Sequence, residues 1–289
     1  MPYEAVFDSI CDDAAIFPPG NLPLAEALAA HPTHHRAWYS ALVGSFVLSA
    51  AHIGGLPGVP HERLAISLTL PQGPAGLEPA IAALSELSGI GLESVEVALP
   101  QGCTFAELAT AAAGLGSQVA RYLEVPRDER REAILNALPG SGFRAKFRTG
   151  GVVPEAHPSE RELAEAIHGA VRRRVPFKCT AGLHHAVRHR DGELEQHGFV
   201  NVLLATDAAR SGEDIDELTG ILGERSGDAL VRWLRKAGEQ RLLAARSSFV
   251  SFGTCSIADP VADLVELGLI DRPHGDDEPA PRAGSARPL

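Results

Sequence analysis

The chain alternates along residues 1–270 between two kinds of segment. One kind is short and rich in β-branched and aromatic residues, whereas the other is rich in Ala, Leu and Glu at helical spacing. This alternation is typical of βα units around a parallel sheet. It predicts eight strands, at residues 5–10, 44–48, 64–70, 94–99, 119–125, 143–149, 176–180 and 248–252.

Helical segments are predicted between most of these strands. They lie at residues 23–30, 77–87, 105–114, 127–137, 159–173 and 259–269. Asp259 is the expected N-cap of the last helix, with Pro260 at its first position. The connection between the seventh and eighth strands, residues 182–247, is longer than one helix requires. It contains helical segments at 199–209, 214–222 and 228–245, although 199–204 also has the pattern of a strand.

The predicted fold class is α/β. Eight βα units in about 270 residues match a (β/α)8 barrel, for which about 250 residues is typical. We therefore predict a single TIM barrel over residues 1–270 with a long insertion between strands seven and eight. A doubly wound open sheet is the alternative, although it would normally carry fewer strands. Residues 271–289 hold four prolines and little to bury, which predicts a disordered tail.

Basic residues of the sixth and seventh strands are expected to point into the barrel. Successive strand residues face opposite sides of a sheet, and the apolar residues of each strand must meet the helices. In the sixth strand this leaves Arg144, Lys146 and Arg148 on the inner face. In the seventh strand it leaves Lys178 and Thr180 there.

Two glutamates lie on the preceding strands with the same inward register. Glu96 alternates with the valines of the fourth strand, and Glu124 shares a face with Tyr122 of the fifth. Charged side chains are almost never buried unless they are paired or functional. Two lysines and two glutamates that point into the same interior predict a functional site at the carboxyl ends of the strands, where barrel active sites lie. The structural alternative is two buried ion pairs, Glu96–Lys146 and Glu124–Lys178.

The two lysines on adjacent strands have a chemical consequence. Neighbouring strands are about 4.8 Å apart. At a separation of about 6 Å and an effective dielectric constant of about 20, two ammonium groups repel by roughly 2.8 kcal/mol, which lowers the pKa of one lysine by about two. We therefore expect one of Lys146 and Lys178 to be neutral near physiological pH. A neutral amine is what attack on a carbonyl group requires.

Five segments resemble, in the same order, motifs of the deoxyribose-phosphate aldolases in the class I aldolase superfamily. The lysine strands AKFRTGG (145–151) and FKCTAG (177–182) are similar to that family's K-T-S-T-G and K-x-x-G-G. The segments SVEVAL (94–99), YLEV (122–125) and FGTCS (252–256) are similar to its E-I-D-M-V, I-L-E-T and R-I-G-T-S-S. The first 90 residues and the His-rich insertion have no counterpart in the resemblance.

The resemblance implies a carbon-carbon lyase that forms a Schiff base with a small carbonyl substrate and uses neither metal nor cofactor. It implies Lys146 as the nucleophile, Lys178 as its partner in proton transfer and Glu96 as a proton shuttle. The family places Gly-Gly after its second lysine strand to bind phosphate, whereas this chain continues from Thr180 with Ala-Gly. The substrate is therefore expected to carry a phosphate or a carboxylate, with Arg148 as a bidentate clamp.

Further residues around the expected barrel mouth are predicted to bind the substrate. The turn after the last strand offers donors for an anion, and histidines follow the seventh strand. The predicted substrate-binding residues are Glu124, Arg148, Thr149, Gly150, Gly151, Thr180, His184, His185, Gly253, Thr254 and Ser256. Asp12 and Asp13, after the first predicted strand, are expected to cap a turn, with a position facing the barrel mouth as the alternative.

The sequence is compatible with two other functions. Glu96 and Glu124 could join His184 and His185 around a divalent metal in a lyase or isomerase. The barrel could also be a non-catalytic protein that binds a small anion.

Composition excludes several classes of function. The formal charge of −11, from 26 Lys and Arg against 37 Asp and Glu, argues against nucleic-acid binding. The longest uncharged stretch, residues 37–60, is too interrupted by polar, Gly and Pro residues for a membrane span. The amino terminus does not match a signal peptide. Four scattered cysteines without a CxxC motif indicate reduced thiols in a cytoplasmic protein. The sequence identifies no interface between subunits, so a homo-oligomer stays open.

Overall fold

Eight parallel strands close into a barrel in the computed structural model, which describes residues 3–56 and 63–273. A separate antiparallel hairpin of two strands lies between the seventh and eighth barrel strands. The order around the barrel is β1-β10-β7-β6-β5-β4-β3-β2, which confirms the TIM barrel and excludes the open sheet. The strands are β1 (Cys11–Asp13), β2 (Val43–Ser49), β3 (Leu64–Leu70), β4 (Ile90–Ala98), β5 (Ala120–Glu124), β6 (Phe143–Arg148), β7 (Phe177–Thr180), the hairpin strands β8 (His189–Asp191) and β9 (Leu194–Gln196), and β10 (Phe249–Thr254).

Helices follow most of the barrel strands, as the sequence pattern predicts. After β2 the described residues contain only a 3-10 helix, Ala50–Gly55, in place of an α-helix. The other connections carry α1 (Leu24–Arg36) after β1, α2 (Leu77–Ser85) after β3, α3 (Phe105–Ala111) after β4, α4 (Arg131–Ala137) after β5, α5 (Glu160–Arg172) after β6 and α10 (Ala258–Glu266) after β10.

The long insertion between β7 and β10 is confirmed. Besides the hairpin it holds α6 (Phe199–Arg210), α7 (Ile215–Gly223), α8 (Gly227–Ala237) and α9 (Glu239–Arg246). The segment 199–204 is helical, so the strand alternative is wrong. Nearly all of α6 is buried, and an apolar run that is buried all round does not distinguish a helix from a strand. The predicted single helix 228–245 is two helices, because Gly238 has a φ of 77° and ends α8.

Two local predictions near the ends of the barrel are wrong. The segment predicted as the first strand contains a 3-10 helix, Glu4–Phe7, and β1 begins only at Cys11. Asp12 and Asp13 therefore lie within a strand rather than in a turn. Helix α10 begins one residue before Asp259, which lies in the first turn rather than at the cap. There its carboxylate still complements the helix dipole.

The outer face of the barrel strands is apolar and the inner face is largely polar, as predicted. Phe147 and Phe177 pack outward with ring centroids 5.3 Å apart, and the helices cover both side chains. The interior instead carries polar groups, among them three serines on β2, β3 and β4. Ser67 Oγ lies 2.6 Å from Ser45 Oγ and 2.7 Å from Ser94 Oγ. Hydrogen-bonded polar side chains thus take the place of the branched apolar layers that usually fill such barrels.

Residues 271–273 have no regular secondary structure, and the rest of the predicted disordered tail, residues 274–289, lies outside the described residues. Among the described residues, none of the helices has the length and apolar character that a membrane crossing needs.

Candidate active site

Two of the three lysines in the chain lie side by side inside the barrel. Lys146 of β6 and Lys178 of β7 are direct partners in the parallel register. Their exposed fractions are 4% and 2%. The alternation of apolar and basic residues places both side chains on the inner face, as predicted, because their apolar neighbours face the helices.

Glu96 of β4 joins the two lysines. Its Oε2 lies 2.8 Å from Lys146 Nζ, and its Oε1 lies 2.6 Å from Lys178 Nζ. One carboxylate therefore receives both ammonium groups, one on each oxygen. The attraction of this carboxylate opposes the repulsion between the two ammonium groups.

Two more carboxylates and one arginine extend this arrangement on both sides. Lys178 Nζ also lies 2.6 Å from Asp12 Oδ2. Lys146 Nζ also lies 3.1 Å from Glu124 Oε2, whose other oxygen lies 3.1 Å from Arg148 Nε. Of the two ion pairs in the structural alternative, Glu96–Lys146 forms, whereas Glu124 pairs with Lys146 in place of Lys178. The alternating row of three carboxylates and three cations, which we call the charge row, consists of Asp12, Lys178, Glu96, Lys146, Glu124 and Arg148.

The charge row reverses the expected effect on the lysines. Burial would lower the pKa of Lys146, but the attraction of Glu96 and Glu124 outweighs burial and raises it. Lys178 likewise has a raised pKa, because Asp12 and Glu96 outweigh its burial. The prediction of a neutral lysine at rest is therefore wrong. Burial would raise the pKa of Glu96, yet both lysines together lower it to about 2.

A pocket of about 220 Å³ opens above the charge row at the carboxyl ends of the strands. Arg148 lies at the rim of this pocket, and 43% of the arginine side chain is exposed. Both lysines border this pocket, so each is ion-paired yet accessible from the cavity. The predicted site residues that line the pocket are Glu96, Glu124, Lys146, Arg148, Gly151, Lys178, Thr180, His184 and Gly253.

Five predicted substrate-binding residues are not part of the pocket lining. They are Thr149, Gly150, His185, Thr254 and Ser256. Their side chains or backbones instead hold together the loops that surround the pocket. They are positioning residues in this structure.

Thr149 and Gly150 join the loop after β6 to the loop after β7. Thr149 is fully buried, and its hydroxyl donates to the carbonyl oxygens of Thr180 and Ala181. A Cβ atom at Gly150 would lie 2.9 Å from the Cα of Gly182. Only a residue without a side chain allows the two loops to approach this closely.

The remaining three residues stabilise the region where α10 begins. The hydroxyl of Thr254 donates to the carbonyl oxygen of Ser256 at 3.0 Å. Ser256 Oγ accepts from the backbone N–H of Asp259 at 3.4 Å. His185 lies 3.1 Å from Asp263 of α10, and this contact raises its pKa. The anion site expected at this turn is therefore occupied in part by the protein's own groups.

His184 is the histidine of the insertion that reaches the pocket. Burial lowers its pKa to about 4, so the imidazole is neutral near pH 7. Its Nδ1 lies 3.3 Å from Thr254 Oγ1 and 3.4 Å from Cys255 Sγ. Cys255 also lines the pocket, and burial raises the pKa of its thiol to about 11.

The side chains proposed for a metal site are not assembled as one. Both oxygens of Glu96 contact lysines, and His185 turns to Asp263. Within residues 3–56 and 63–273, no group of three or more His, Cys, Asp or Glu residues has an arrangement that could hold a metal ion.

Asp12 belongs to the site, although the sequence favours a turn for it. It comes from a strand of three residues, two of them acidic, and such a segment has no apolar alternation that would set its register. A barrel of this kind is common among enzymes. Comparison with protein-family models, with curated proteins and with solved structures finds no match.

Proposed function

We propose that this protein is a carbon-carbon lyase that forms a Schiff base between Lys146 and a small carbonyl substrate bearing a carboxylate or a phosphate. The observation that carries the proposal is the pair of amines joined by Glu96 at the floor of an open pocket. Burying two cations in a barrel interior is costly even when they are paired. Their position at a pocket that a substrate can enter supports a role as amines that react with a carbonyl group.

The first chemical step requires loss of a proton from Lys146. Glu96 and Glu124 both lie within hydrogen-bond distance of its Nζ and can accept that proton. A substrate that enters the pocket displaces water, and this favours the neutral amine and carboxylic acid over the charged pair. The lone pair of the amine then attacks the carbonyl carbon. The carboxylic acid then returns this proton to the oxygen of the adduct, which leaves as water and gives the protonated imine, while Lys178 holds Glu96 in position through its contact with Oε1.

The second step breaks a carbon-carbon bond. A carboxylate takes the proton from the hydroxyl group on the carbon beta to the imine, the bond between the alpha and beta carbons breaks, and its electron pair moves into the imine. The beta carbon leaves as an aldehyde, and the enamine that remains takes up a proton at carbon. Water then hydrolyses the imine and restores Lys146, so the net reaction needs no further reagent.

Arg148 is placed to receive the anionic group of the substrate. It lies two residues beyond Lys146 on the same inner face of β6, which is about 7 Å along a strand. Its guanidinium is partly exposed at the rim. A carboxylate or phosphate near the carbonyl carbon could contact Arg148 while Lys146 reacts.

The test is chemical trapping of the Schiff base. Borohydride is added to the protein with a panel of small ketones and aldehydes, and the modified lysine is located by mass spectrometry. We expect an adduct on Lys146 and its loss in Lys146→Met. Lys236→Met is the matched control, because Lys236 is the third lysine of the chain and is exposed on α8. An adduct that persists in Lys146→Met, or no adduct with any compound, would contradict the proposal.

A further inference from the structure

The mouth of the pocket has a charged half and an apolar half. The charge row comes mainly from β4, β5, β6 and β7. The facing side is lined by Val47 of β2, by Phe17 and Pro18 after β1, and by Pro71 after β3. β2 is four strands away from β6 in either direction around the barrel. Val47 therefore lies on the opposite side of the barrel from Lys146.

The apolar half is preorganised by backbone contacts. The N–H of Phe17 donates to the carbonyl oxygen of Ala14 at 2.8 Å, and the N–H of Leu22 donates to that of Ala15 at 3.0 Å. A Cβ atom at Gly20 of the same loop would lie 2.9 Å from the Cβ of Cys255. The loop that carries Phe17 is thus packed closely on the loop after β10, and this contact fixes the position of Phe17 in the apolar half.

The charges around the pocket do not favour a phosphate. The three cations of the charge row face three carboxylates, so the row is formally neutral. His184 adds no charge near pH 7, because burial lowers its pKa to about 4. Ala181 and Cys255 line the pocket beside it. A dianion would have only Arg148 to receive it, and Glu124 already pairs with that cation.

We infer that the substrate is an unphosphorylated β-hydroxy carbonyl compound with an apolar arm, and that the aldehyde it releases is aromatic or branched aliphatic. This inference rests on the proposed function, because it assigns the carbonyl group to Lys146. The arm would lie across the mouth against Phe17 and Val47. Binding of such an arm buries apolar surface of both the arm and the pocket, and this favours its binding over that of a polyol phosphate.

Val152 tests the apolar arm where it leaves the charged half. It lines the pocket from the loop after β6 and is 69% exposed, so an apolar arm can bury it further. Its neighbour Val153 is 48% exposed and does not line the pocket. The substitutions Val152→Thr and Val153→Thr keep the shape of the side chain and change only its polarity, which makes them a matched pair.

The first experiment measures binding without chemistry. Phenylpropionate and glycerol phosphate are titrated into the intact protein by calorimetry. We expect phenylpropionate to bind at least about tenfold more tightly. Val152→Thr should weaken this binding by about fivefold, the effect of roughly one methyl group, whereas Val153→Thr should leave it unchanged. Tighter binding of glycerol phosphate, or equal effects of the two substitutions, overturns the inference.

The second experiment measures cleavage of two β-hydroxy ketones, one with a phenyl arm and one with a phosphorylated arm. We expect a higher kcat/KM for the phenyl compound and a raised KM for it in Val152→Thr. Preference for the phosphorylated compound contradicts the apolar arm while it supports the Schiff base. If neither ketone is cleaved and borohydride traps nothing, the proposed function is wrong, and the titration alone then decides whether the apolar half binds apolar ligands.

Discussion

Lys178 Nζ lies 2.6 Å from Asp12 Oδ2, although the two residues are 166 positions apart in the chain. They come from β7 and β1, which are separated in the barrel by β10. Ser251 of β10 donates to the same oxygen at 2.7 Å, and Ser45 of β2 donates to Asp12 Oδ1 at 3.1 Å. Asp12 therefore ties the lysine to the strands at which the barrel closes.

Substitution of Asp12 should destabilise the fold. Asp12→Asn leaves the buried ammonium group of Lys178 with one carboxylate fewer, and breaking a buried pair typically costs about 3–5 kcal/mol. Urea unfolding measures this loss. The control is Asp216→Asn, because Asp216 pairs with Arg161 at the surface with 80% of its side chain exposed, and such pairs contribute about 1 kcal/mol or less. Equal effects of the two substitutions would contradict the role of Asp12.

The sequence predicts most of the barrel because apolar and polar residues alternate along most of its strands. In β6 and β7 each inner basic residue alternates with a buried apolar one, so the register of Lys146 and Lys178 follows from period two. β1 has only three residues and no such alternation. Its place depends on closure of the barrel, which involves contacts between the two ends of the chain. For that reason the sequence does not decide whether Asp12 caps a turn or faces the barrel mouth.

The electrostatics of the site also depend on long-range placement. A sequence shows that two lysines lie on neighbouring strands, and this alone predicts repulsion and a lowered pKa. The structure adds three carboxylates from β1, β4 and β5, each within 3.1 Å of a lysine. Their attraction exceeds both the repulsion and the effect of burial, so the pKa of each lysine is raised.

Glu96 should make the stability of the fold depend on acidic pH. The lysines lower its pKa from 4.5 to about 2 in the folded protein. Between these values the unfolded chain binds more protons than the folded one, so stability falls as pH decreases. The contribution is complete above pH 4.5 and is lost toward pH 2, with a size of about 3 kcal/mol. Urea unfolding at a series of pH values should show a shallower dependence in Glu96→Gln, and parallel curves would contradict the assignment.

Gly150 should resist substitution although it carries no functional group. In Gly150→Ala the new methyl group meets the backbone of Gly182 at 2.9 Å, and the loops after β6 and β7 must separate. We expect a loss of about 1–3 kcal/mol in thermal or urea unfolding and weaker binding of any ligand in the pocket. Gly220→Ala is the control. It lies in α7, and apart from the adjacent backbone of its own helix nothing lies within 4 Å of the added Cβ, so the substitution should stabilise the protein by up to about 1 kcal/mol. Similar losses in both variants would show that the loop crossing is not the cause.

Glu124 should set the pH at which Lys146 becomes a nucleophile. Its carboxylate is one of two that raise the pKa of this lysine, and Glu124→Gln leaves Glu96 alone to do so. The lysine should then lose its proton at a lower pH and react faster near neutrality. Reductive methylation with formaldehyde and cyanoborohydride measures this directly, because the rate at Lys146 can be followed against pH with Lys236 as an internal reference.

The same substitution releases Arg148 from its contact at 3.1 Å with Glu124, so a ketone that carries a carboxylate should also bind with a lower KM. Glu78→Gln, on the exposed face of α2, should change neither result. A pH profile for Lys146 that stays in place in Glu124→Gln, or moves upward, would mean that Glu124 does not hold the proton on this amine. The resting state of the site would then depend on Glu96 alone, and the first proton transfer of the proposed reaction would have to go to that carboxylate.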